Sequence, residues 1–363
     1  MKIIRVGLDV PVATLFDYRA DDVGADDVGR RVVVPFRRKI VIGIIIEIAT
    51  VSAVPPHRLK AALHVLRDSP AFLTDDLHLM KFASDYYHHA YGAVLMSALP
   101  ARLRRVHASP RPVETCFVLT AAGMSADIDQ LSARAVVKRR LLARFKQQRS
   151  LDASTVKTVA PTAPAALKQL VACGWVERQA VAAPTPAPAP YRAAAGPALT
   201  LEQAEAVRAI CASRGAFQPF LLLGVTSSGK TEVYLRVVDA VLAAGRQALL
   251  LVPEITLTPQ LEALVRERFP GTPLVSLHSA LNETERLKHW LAAQAGYARI
   301  VLGTRLAVFA PLPQLGIVIV DEEQDASFKQ MDGLRYSARD LAIVRARRRN
   351  VPSVLGSATP ALE

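Results

Sequence analysis

One run of the sequence joins an apolar, buried-looking strand to a loop that could hold phosphate. LLLGVTSSGKTEVYL begins at Leu221 and contains the complete P-loop pattern GxxxxGK[ST]. In such a loop the backbone N–H groups and the next helix N-terminus hold phosphates, the lysine reaches the β- and γ-phosphates, and the last hydroxyl contacts Mg²⁺. The pattern therefore predicts an ATP-binding site at Gly224, Val225, Thr226, Ser227, Ser228, Gly229, Lys230 and Thr231.

Two carboxylates end a second apolar strand. In LGIVIVDEEQ the strand is followed by Asp321 and Glu322. An aspartate at this place near a P-loop usually holds Mg²⁺, and the next carboxylate can orient an attacking water. The alternative for this pair is a solvated acidic turn. We expect Lys230, Asp321 and Glu322 to be the catalytic residues, with Thr231 and Asp321 holding Mg²⁺ through ATP.

A third apolar strand ends in small hydroxyl residues. VLGSATP, residues 354–360, contains Ser357 and Thr359, for which an ordinary turn is the alternative. The elements GKT, DEE and SAT follow one another along the chain, and this order is typical of a superfamily 2 helicase motor lobe. In such motors the SAT element links hydrolysis to strand separation, so Ser357 and Thr359 are candidate coupling residues.

The composition favours a polyanionic partner. Lys and Arg number 45 against 32 Asp and Glu, which gives a net charge of +13, and the sequence pI is near 10.0. A generally basic surface is the alternative. The three cysteines are far apart and suggest neither a disulfide framework nor a metal knuckle. No apolar run has the roughly 18 residues of a membrane span, and the N-terminus does not resemble a signal peptide. We expect a cytoplasmic protein without a membrane partner.

The chain divides into predicted domains that surround these motifs. RRVVVPF and KIVIGIIIEIA predict strands, and DDLHLMKFASDYYHHAYGAVLMSAL predicts one helical stretch. The tract APTPAPAPYRAAAGP predicts a semi-rigid linker. Strands FLLLG, ALLLVP, RIVLGT, GIVIVD and SVLGSA alternate with helices, which predicts a parallel sheet covered on both faces. The predicted divisions are a β-rich domain (1–105), a winged helix (113–182), the linker (183–197) and an α/β P-loop domain (198–363).

Taken together, these motifs resemble the primosomal protein N′ family, the superfamily 2 helicases of replication restart. The resemblance spans the chain and corresponds to the N-terminal half of the family. It rests on GVTSSGKTEVYL, LVPEITLTPQ, LHSALNETER, VLGTR, VIVDEEQDASFKQMDGLRYSARDLA and LGSATPALE, and in the first domain on TLFDY, RVVVPF and DYYHHAYG. It implies an ATP-dependent 3′→5′ DNA helicase, a hydrolase of DNA replication that recognises stalled forks and initiates primosome assembly. It also implies a multidomain α/β chain with a 3′-DNA-binding domain, a winged helix and one RecA-like motor lobe.

The resemblance assigns a DNA 3′-end pocket in the first domain. Phe16, Asp17 and Lys60 match its positions, and Arg37 stands where the family usually has glycine. These types suit the role because an aromatic ring can stack on a base, a lysine can meet phosphate, and a carboxylate can accept from a 3′-hydroxyl. Without the resemblance, Phe16 would be assigned to a core and Asp17 to a turn. The side chain of Arg37 could fill the pocket or add a phosphate contact.

Further roles in the motor lobe also come from the resemblance. Gln203 matches a glutamine that recognises adenine, and its alternative is a solvated helix position. Phe328, Arg335 and Tyr336 lie in the match to an aromatic-rich loop that senses single-stranded DNA. An isolated aromatic residue is more often part of a core.

Two departures bear on the ATPase. Ser227 replaces a glycine of the family's P-loop, and Gln324 replaces the histidine of its DEEH motif. The family's histidine helps couple nucleotide state to DNA contacts, so Gln324 is a further sensing and coupling candidate.

The chain ends at Glu363, just after the SAT element. The expectation is a truncated form that binds fork DNA and ATP but does not unwind DNA alone, because the second lobe and the zinc module of the family are absent. Zinc is expected in the full-length family, without ligands here. Primosome proteins and single-strand binding protein are partners by resemblance. The alternative function is a non-catalytic fork-DNA-binding adaptor with a decayed ATPase.

Overall fold

The computed structural model describes residues 2–106, 113–128, 131–132, 135–160, 162–182, 191–225, 228–253 and 259–362. The chain forms two compact units. The first combines the N-terminal part of the chain, up to Pro110, with the part from Pro186 onward, and the second is Arg111–Thr185. No helix in the described part of the chain is both long enough and apolar enough to cross a membrane.

The N-terminal part forms an antiparallel sheet. Its strands are β1 (Ile3–Leu8), β2 (Phe16–Arg19), β3 (Arg31–Phe36), β4 (Lys39–Ala49) and β5 (His64–Leu66), in the order β2-β1-β4-β3-β5. The predicted strands RRVVVPF and KIVIGIIIEIA are thus confirmed as β3 and β4. Valine and isoleucine suit a pleated surface, and buried Ile4, Val6 and Val34 share one core on a face of this sheet.

The helical stretch predicted before Pro100 is two helices, not one. They are α1 (Thr74–Tyr86) and α2 (Tyr91–Ser97). Between them His88 takes a φ of 50°, in the left-handed region, which an α-helix cannot continue through. Tyr91 then donates its hydroxyl hydrogen to the carbonyl of Leu77 at 3.0 Å, which ties α2 back to α1.

The second unit contains a small antiparallel sheet with helices packed on it. In chain order its elements are β6 (Val113–Leu119), α3 (Ala121–Ser125), α4 (Val136–Gln148), β7 (Ser150–Asp152), α5 (Ala153–Val159), α6 (Ala163–Ala172) and β8 (Val176–Ala182). The strand order is β7-β6-β8. Leu141, Leu142 and Phe145 of α4 are buried, whereas Val136 is exposed. The winged-helix assignment stays a prediction.

The C-terminal part is a parallel sheet. Its elements are α7 (Leu201–Ala212), β9 (Pro219–Leu223), α8 (Lys230–Ala243), β10 (Gln247–Leu251), α9 (Pro259–Arg268), β11 (Leu274–Leu277), α10 (Glu283–Gln294), β12 (Ile300–Gly303), β13 (Leu315–Val320), α11 (Ala338–Arg348) and β14 (Ser353–Ser357). The strand order is β11-β12-β10-β13-β14-β9, and every neighbouring pair is parallel. Because the strands are parallel, their carboxyl ends share one edge.

Two predictions about this sheet need correction. The four-residue β11 was not predicted, because PLVSL is too short to show a pattern. The strand before the P-loop, β9, was taken for a buried strand, but it lies at the sheet edge with Leu221 55% and Leu223 64% exposed. The other predicted strands are confirmed, and the two faces of the sheet carry separate cores, with Leu249 and Leu251 on one and Ala248 and Leu250 on the other.

The N-terminal part and the parallel sheet pack together within the first unit. The Trp290 indole on α10 donates to the carbonyl of Ala98 at 3.1 Å. Arg345 on α11 is 2% exposed and donates to the carbonyls of Val308 and Ala310, and its guanidinium lies 3.8 Å from the buried carboxylate of Asp76 on α1. A buried guanidinium with several acceptors fixes orientation, so these contacts set the position of α1 against α11.

We predict that Gly92→Ala destabilises the chain, although alanine stabilises a helix more than glycine does. A Cβ at residue 92 would overlap the backbone of Leu8 in β1, which cannot move without disturbing the sheet. Overpacking of this kind costs about 1–3 kcal/mol. Thermal unfolding followed by circular dichroism measures the change. Gly24→Ala is the control, because nothing lies within 4 Å of its added Cβ; a higher melting temperature for Gly92→Ala would contradict the packing described.

Candidate functional site

The loop between β9 and α8 is built around two glycines. Gly229 has a φ of 81°, which is a left-handed conformation that suits glycine. A Cβ at Gly224 would overlap the hydroxyl of Ser228. Helix α8 begins at Lys230 without a side-chain cap, so its first N–H groups stay available to an anion. Thr226 and Ser227 lie outside the described residues, and the departure at Ser227 stays a prediction.

The ammonium group of Lys230 contacts protein oxygens. Its side chain is 9% exposed, and Nζ donates to the carbonyl of Gly224 at 2.8 Å. The same Nζ lies 3.6 Å from Glu322 Oε1. Phosphate oxygens could replace these partners without exposing the ammonium, so the residues present fit a nucleotide phosphate.

Asp321 is placed by a residue that the sequence analysis did not single out. The Tyr234 hydroxyl donates to Asp321 Oδ1 at 2.9 Å. A Cβ at Gly356 on β14 would overlap that hydroxyl, so glycine is required there. Asp321 and Thr231 both line a cavity of about 10 Å³, which is room for about one water. A hydroxyl and a carboxylate are the hard oxygen donors that suit Mg²⁺.

The surroundings of Asp321 raise the pKa of its carboxyl above the ordinary value. Burial raises the pKa of the Asp321 carboxyl, the hydrogen bond from Tyr234 lowers it, and neighbouring Glu322 raises it again. The net result is a pKa above the ordinary value. A carboxyl whose ionised form is disfavoured by burial is a common feature of functional sites.

Hydrogen bonds join the nucleotide loop to the SAT element. Glu322 adopts a φ of 47°, an uncommon left-handed conformation for a residue with a side chain. Gln324 Nε2 donates to Glu322 Oε2 at 2.8 Å, and Ser357 Oγ donates to Gln324 Oε1 at 2.5 Å. The Thr359 backbone N–H in turn donates to Ser357 Oγ at 3.1 Å. Contacts therefore run without a break from Lys230 through Glu322 and Gln324 to Ser357; we name this the Gln324 bridge.

Glu323 is a buried anchor that the sequence analysis passed over. It is 5% exposed and accepts from Arg339 Nη1 at 3.1 Å and from the Ala361 N–H at 2.8 Å. These contacts fix the turn after β13 against both α11 and the segment after β14. Three successive acids in the sequence were the available signal, but only the folded chain shows that the third one is structural.

Gln203 lies against the P-loop. Its Oε1 accepts from the Thr200 N–H at 3.0 Å as part of a capping box at the start of α7. Its Nε2 donates to the carbonyl of Ser228 at 3.0 Å. The amide keeps one N–H for a further acceptor. The structure thus places Gln203 against the loop, and its contact with an adenine stays a prediction.

The two aromatic residues expected to sense DNA are buried. Phe328 is 2% and Tyr336 4% exposed, and the Tyr336 ring lies 5.2 Å from that of Phe309. Within the described part of the chain the Tyr336 hydroxyl has no hydrogen-bond partner. Arg335 is exposed. Stacking of these rings on DNA would need the loop to move, so their sensing role stays a prediction.

The residues assigned to the 3′-end pocket meet in one cleft. The cleft has a volume of about 700 Å³, and Phe16, Asp17, Arg37 and Lys60 all line it. The Phe16 ring meets Phe36 edge-on at 5.1 Å. Asp17 Oδ2 accepts from Ser52 Oγ at 2.5 Å, and its Oδ1 lies 3.8 Å from Arg5 Nε.

Arg37 occupies a backbone position that suits glycine. Its φ is 52°, in the left-handed region where glycine is favoured. The guanidinium lies 5.7 Å from the centre of the Phe36 ring. The side chain is exposed and lines the cleft without filling it.

Comparison with known proteins identifies two domains in the chain. Residues 5–100 match the PriA 3′DNA-binding domain (3′BD). Residues 200–363 match the DEAD/DEAH box helicase family. The first match covers the cleft around Phe16, and the second covers the P-loop, the acidic turn and the SAT element.

One relative matches the whole chain, and another matches part of it. The replication restart protein PriA of Haemophilus influenzae is 37% identical over 371 residues, which cover 100% of this chain and 50% of that protein. The PriA protein of Treponema pallidum is 49% identical over 166 residues, 46% of this chain and 25% of that protein. The chain thus spans about half the length of the Haemophilus relative. Among solved structures, RecG bound to a three-way DNA junction is similar with 25% identity and a TM-score of 0.36, covering 46% of this chain and 22% of that one.

We predict that Asp321→Asn stabilises the chain at neutral pH. The carboxyl of Asp321 binds its proton more tightly in the folded state than in the unfolded state, because its folded pKa is raised. Its contribution to the free energy of unfolding is therefore complete below the unfolded pKa and is lost as the pH rises through the folded pKa. Removing the charge should add on the order of 1 kcal/mol at pH 7, with the gain shrinking towards pH 4. Melting temperatures across this pH range measure it, with exposed Asp332→Asn as control. A variant less stable than the parent at every pH would contradict the assignment.

Proposed function

We propose that this chain, which is similar along its whole length to the replication restart protein PriA of Haemophilus influenzae and matches the PriA 3′DNA-binding domain over residues 5–100, forms the fork-recognising and ATP-binding part of an ATP-dependent 3′→5′ DNA helicase. In this proposal the complete protein recognises stalled or abandoned replication forks and initiates primosome assembly. The observation that carries the proposal is the set of Lys230, Asp321, Glu322 and Ser357 gathered at one edge of a parallel sheet.

The chain's own residues would hold ATP and Mg²⁺ in a defined way. Bound ATP with Mg²⁺ supplies the phosphoanhydride to be cleaved and the cation that offsets its charge. Lys230 would exchange the carbonyl of Gly224 and the carboxylate of Glu322 for phosphate oxygens. The Thr231 hydroxyl and Asp321 would face the cation, and Tyr234 keeps Asp321 in position at 2.9 Å. Glu322, released from Lys230, could then accept a proton from a water aligned for attack.

The Gln324 bridge supports coupling between nucleotide and DNA in spite of the missing histidine. The amide of Gln324 donates to Glu322 and accepts from Ser357, so it connects these two residues through hydrogen bonds. When Glu322 changes partner, Ser357 and the segment after it lose or regain a fixed hydrogen bond. This observation favours the helicase over an adaptor with a decayed ATPase, because the departure at Gln324 preserves a connection.

The cleft around Asp17 would receive the 3′ end of a DNA strand. Its volume of about 700 Å³ lies in the usual range of sites for a molecule of nucleotide size. Phe16 offers an aromatic edge, Lys60 a cation, and Asp17 a carboxylate that can accept from a 3′-hydroxyl. A terminal phosphate would instead face the negative charge of Asp17.

Other partners are proposed by family alone. Primosome proteins and single-strand binding protein belong to this group, and the described residues carry no observation that selects their binding surfaces. No group of three or more His, Cys, Asp or Glu suitable for a metal is present in the described residues, so we assign no zinc ligand within them.

We predict that Lys230→Ala weakens binding of ATP by at least about tenfold, because a charged hydrogen-bond partner of the phosphates is lost. Binding of forked DNA should stay unchanged. Fluorescence anisotropy with labelled nucleotide and labelled fork measures both in this chain. Lys81→Ala is the matched control, since Lys81 is exposed and pairs with Asp85 on the same helix. Unaltered ATP affinity in Lys230→Ala would remove the P-loop from the proposal and leave the adaptor.

We also predict that the chain prefers forks with a 3′-hydroxyl over forks with a 3′-phosphate by roughly tenfold, the scale of one charged hydrogen bond. Asp17→Asn should reduce this preference because the carboxylate no longer repels the phosphate, and exposed Asp26→Asn should leave it intact. Competition binding with the two forks measures the ratio. Equal affinity of the parent chain for both forks would exclude Asp17 as a 3′-end residue.

A further inference from the structure

Two arginines from different elements meet in a small cavity, here named the arginine niche. It has a volume of about 90 Å³, and its lining includes Arg104, Arg286, His278 and Trp290. Arg104 ends a short 3₁₀ helix, Ala101–Arg104, in the N-terminal part of the chain, and Arg286 lies on α10. Among the described residues that line the niche, none is acidic.

Backbone carbonyls hold both guanidinium groups in place. Arg104 donates through Nε and Nη2 to the carbonyl of Leu99 at 3.0 and 2.8 Å. Arg286 Nη2 donates to the carbonyls of His278 and Ser279 at 3.2 and 3.0 Å. Within the described residues, the Nη1 group of each arginine has no hydrogen-bond partner. The niche therefore presents two fixed cations with donors left over.

The neighbouring arginines show that Arg104 differs from the rest of its segment. Arg105 pairs with Glu283 at 2.8 Å, and Arg102 donates to the Thr284 hydroxyl at 3.2 Å. These two side chains hold the 3₁₀ helix against the start of α10. Arg104 makes no ion pair within the described part of the chain and points its charge at the niche, so it is not needed for the same docking.

The local charge balance favours an anion. Burial lowers the pKa of Arg104, Asp9 opposes this, and Arg286 lowers the pKa further because its own charge is near. Two like charges in a partly buried cavity repel each other, and an anion between them would remove the repulsion. Asp9 is the acidic group that acts on Arg104, and it is not among the lining residues.

We propose that the arginine niche binds one backbone phosphate of a DNA strand. A cavity of about 90 Å³ holds several water-sized groups but is far below the roughly 300–1,000 Å³ of sites that enclose a drug-sized molecule, so it suits a phosphate and not a base. His278 follows β11, so the niche adjoins the same carboxyl edge of the sheet as Lys230 and Asp321. A strand crossing that edge would be fixed jointly by the N-terminal part and the helicase domain.

The proposal rests on DNA binding by the proposed function, and the salt dependence of fork binding tests it. Arg104→Gln with Arg286→Gln should lower the affinity of this chain for forked DNA roughly tenfold. It should also reduce the slope of log affinity against log salt by about 0.7–0.9, the loss of one phosphate contact. Arg192→Gln with Arg208→Gln removes the same charge from exposed positions and should leave the slope unchanged.

Additional arms identify the source of the phosphate and guard against misfolding. A series of forks, each with one methylphosphonate at a different position of either strand, should be tested. At one position the substitution should weaken fork binding by the parent chain without weakening fork binding by the double variant. Arg104→Gln alone should show the same reduced slope with an unchanged melting temperature. An unchanged slope, or an equal loss in the control, overturns the proposal. The proposal is also overturned if the double variant loses binding of inorganic phosphate but keeps fork binding, because the niche would then bind a free anion and not DNA. If the parent chain itself fails to bind the fork, the proposed function fails, and this site with it.

Discussion

The parallel register of the six strands is the constraint on which the candidate site depends. Parallel strands bring their carboxyl ends to one edge, so residues more than a hundred positions apart in sequence come together there. Lys230 follows β9, Glu322 follows β13, and Ser357 ends β14. The contact between Lys230 and Glu322 at 3.6 Å and the Gln324 bridge are consequences of this register. A change in strand order would separate these groups whatever their identity.

Close packing around a glycine helps to fix the positions of the side chains at this edge. Gly356 on β14 leaves space for the Tyr234 hydroxyl, which in turn orients Asp321 on the adjacent strand. Glu323 fixes the same acidic turn to α11 through Arg339. The site is thus supported from three elements, and this explains how Glu322 can keep its strained backbone conformation. Because the site is held in place in this way, a change in the contacts of Glu322 can alter the hydrogen bond of Ser357.

The sequence predicted the elements that carry local signals and missed those decided by distant contacts. Runs of valine, isoleucine and leucine identified β3, β4 and most of the parallel strands, and the P-loop, acidic turn and SAT element were located by their patterns. The edge position of β9 depends on strand order, which no local pattern contains. The break at His88, the roles of Tyr234 and Glu323, and the burial of Phe328 and Tyr336 arise from partners far away in sequence. The pocket residues around Asp17 were assigned by family resemblance, and the structure brings them into one cleft.

The most direct measurement of the central claim is fork-stimulated ATP turnover in a chain lengthened to the full span of the Haemophilus influenzae relative. Three versions should be compared: the parent, Gln324→Ala and Gln324→His. The amide bridge between Glu322 and Ser357 predicts that alanine loses most of the stimulation by forked DNA while ATP still binds. Histidine, which can also donate on one side and accept on the other, should retain the stimulation. Equal stimulation in the alanine variant and the parent would contradict a coupling role for the bridge.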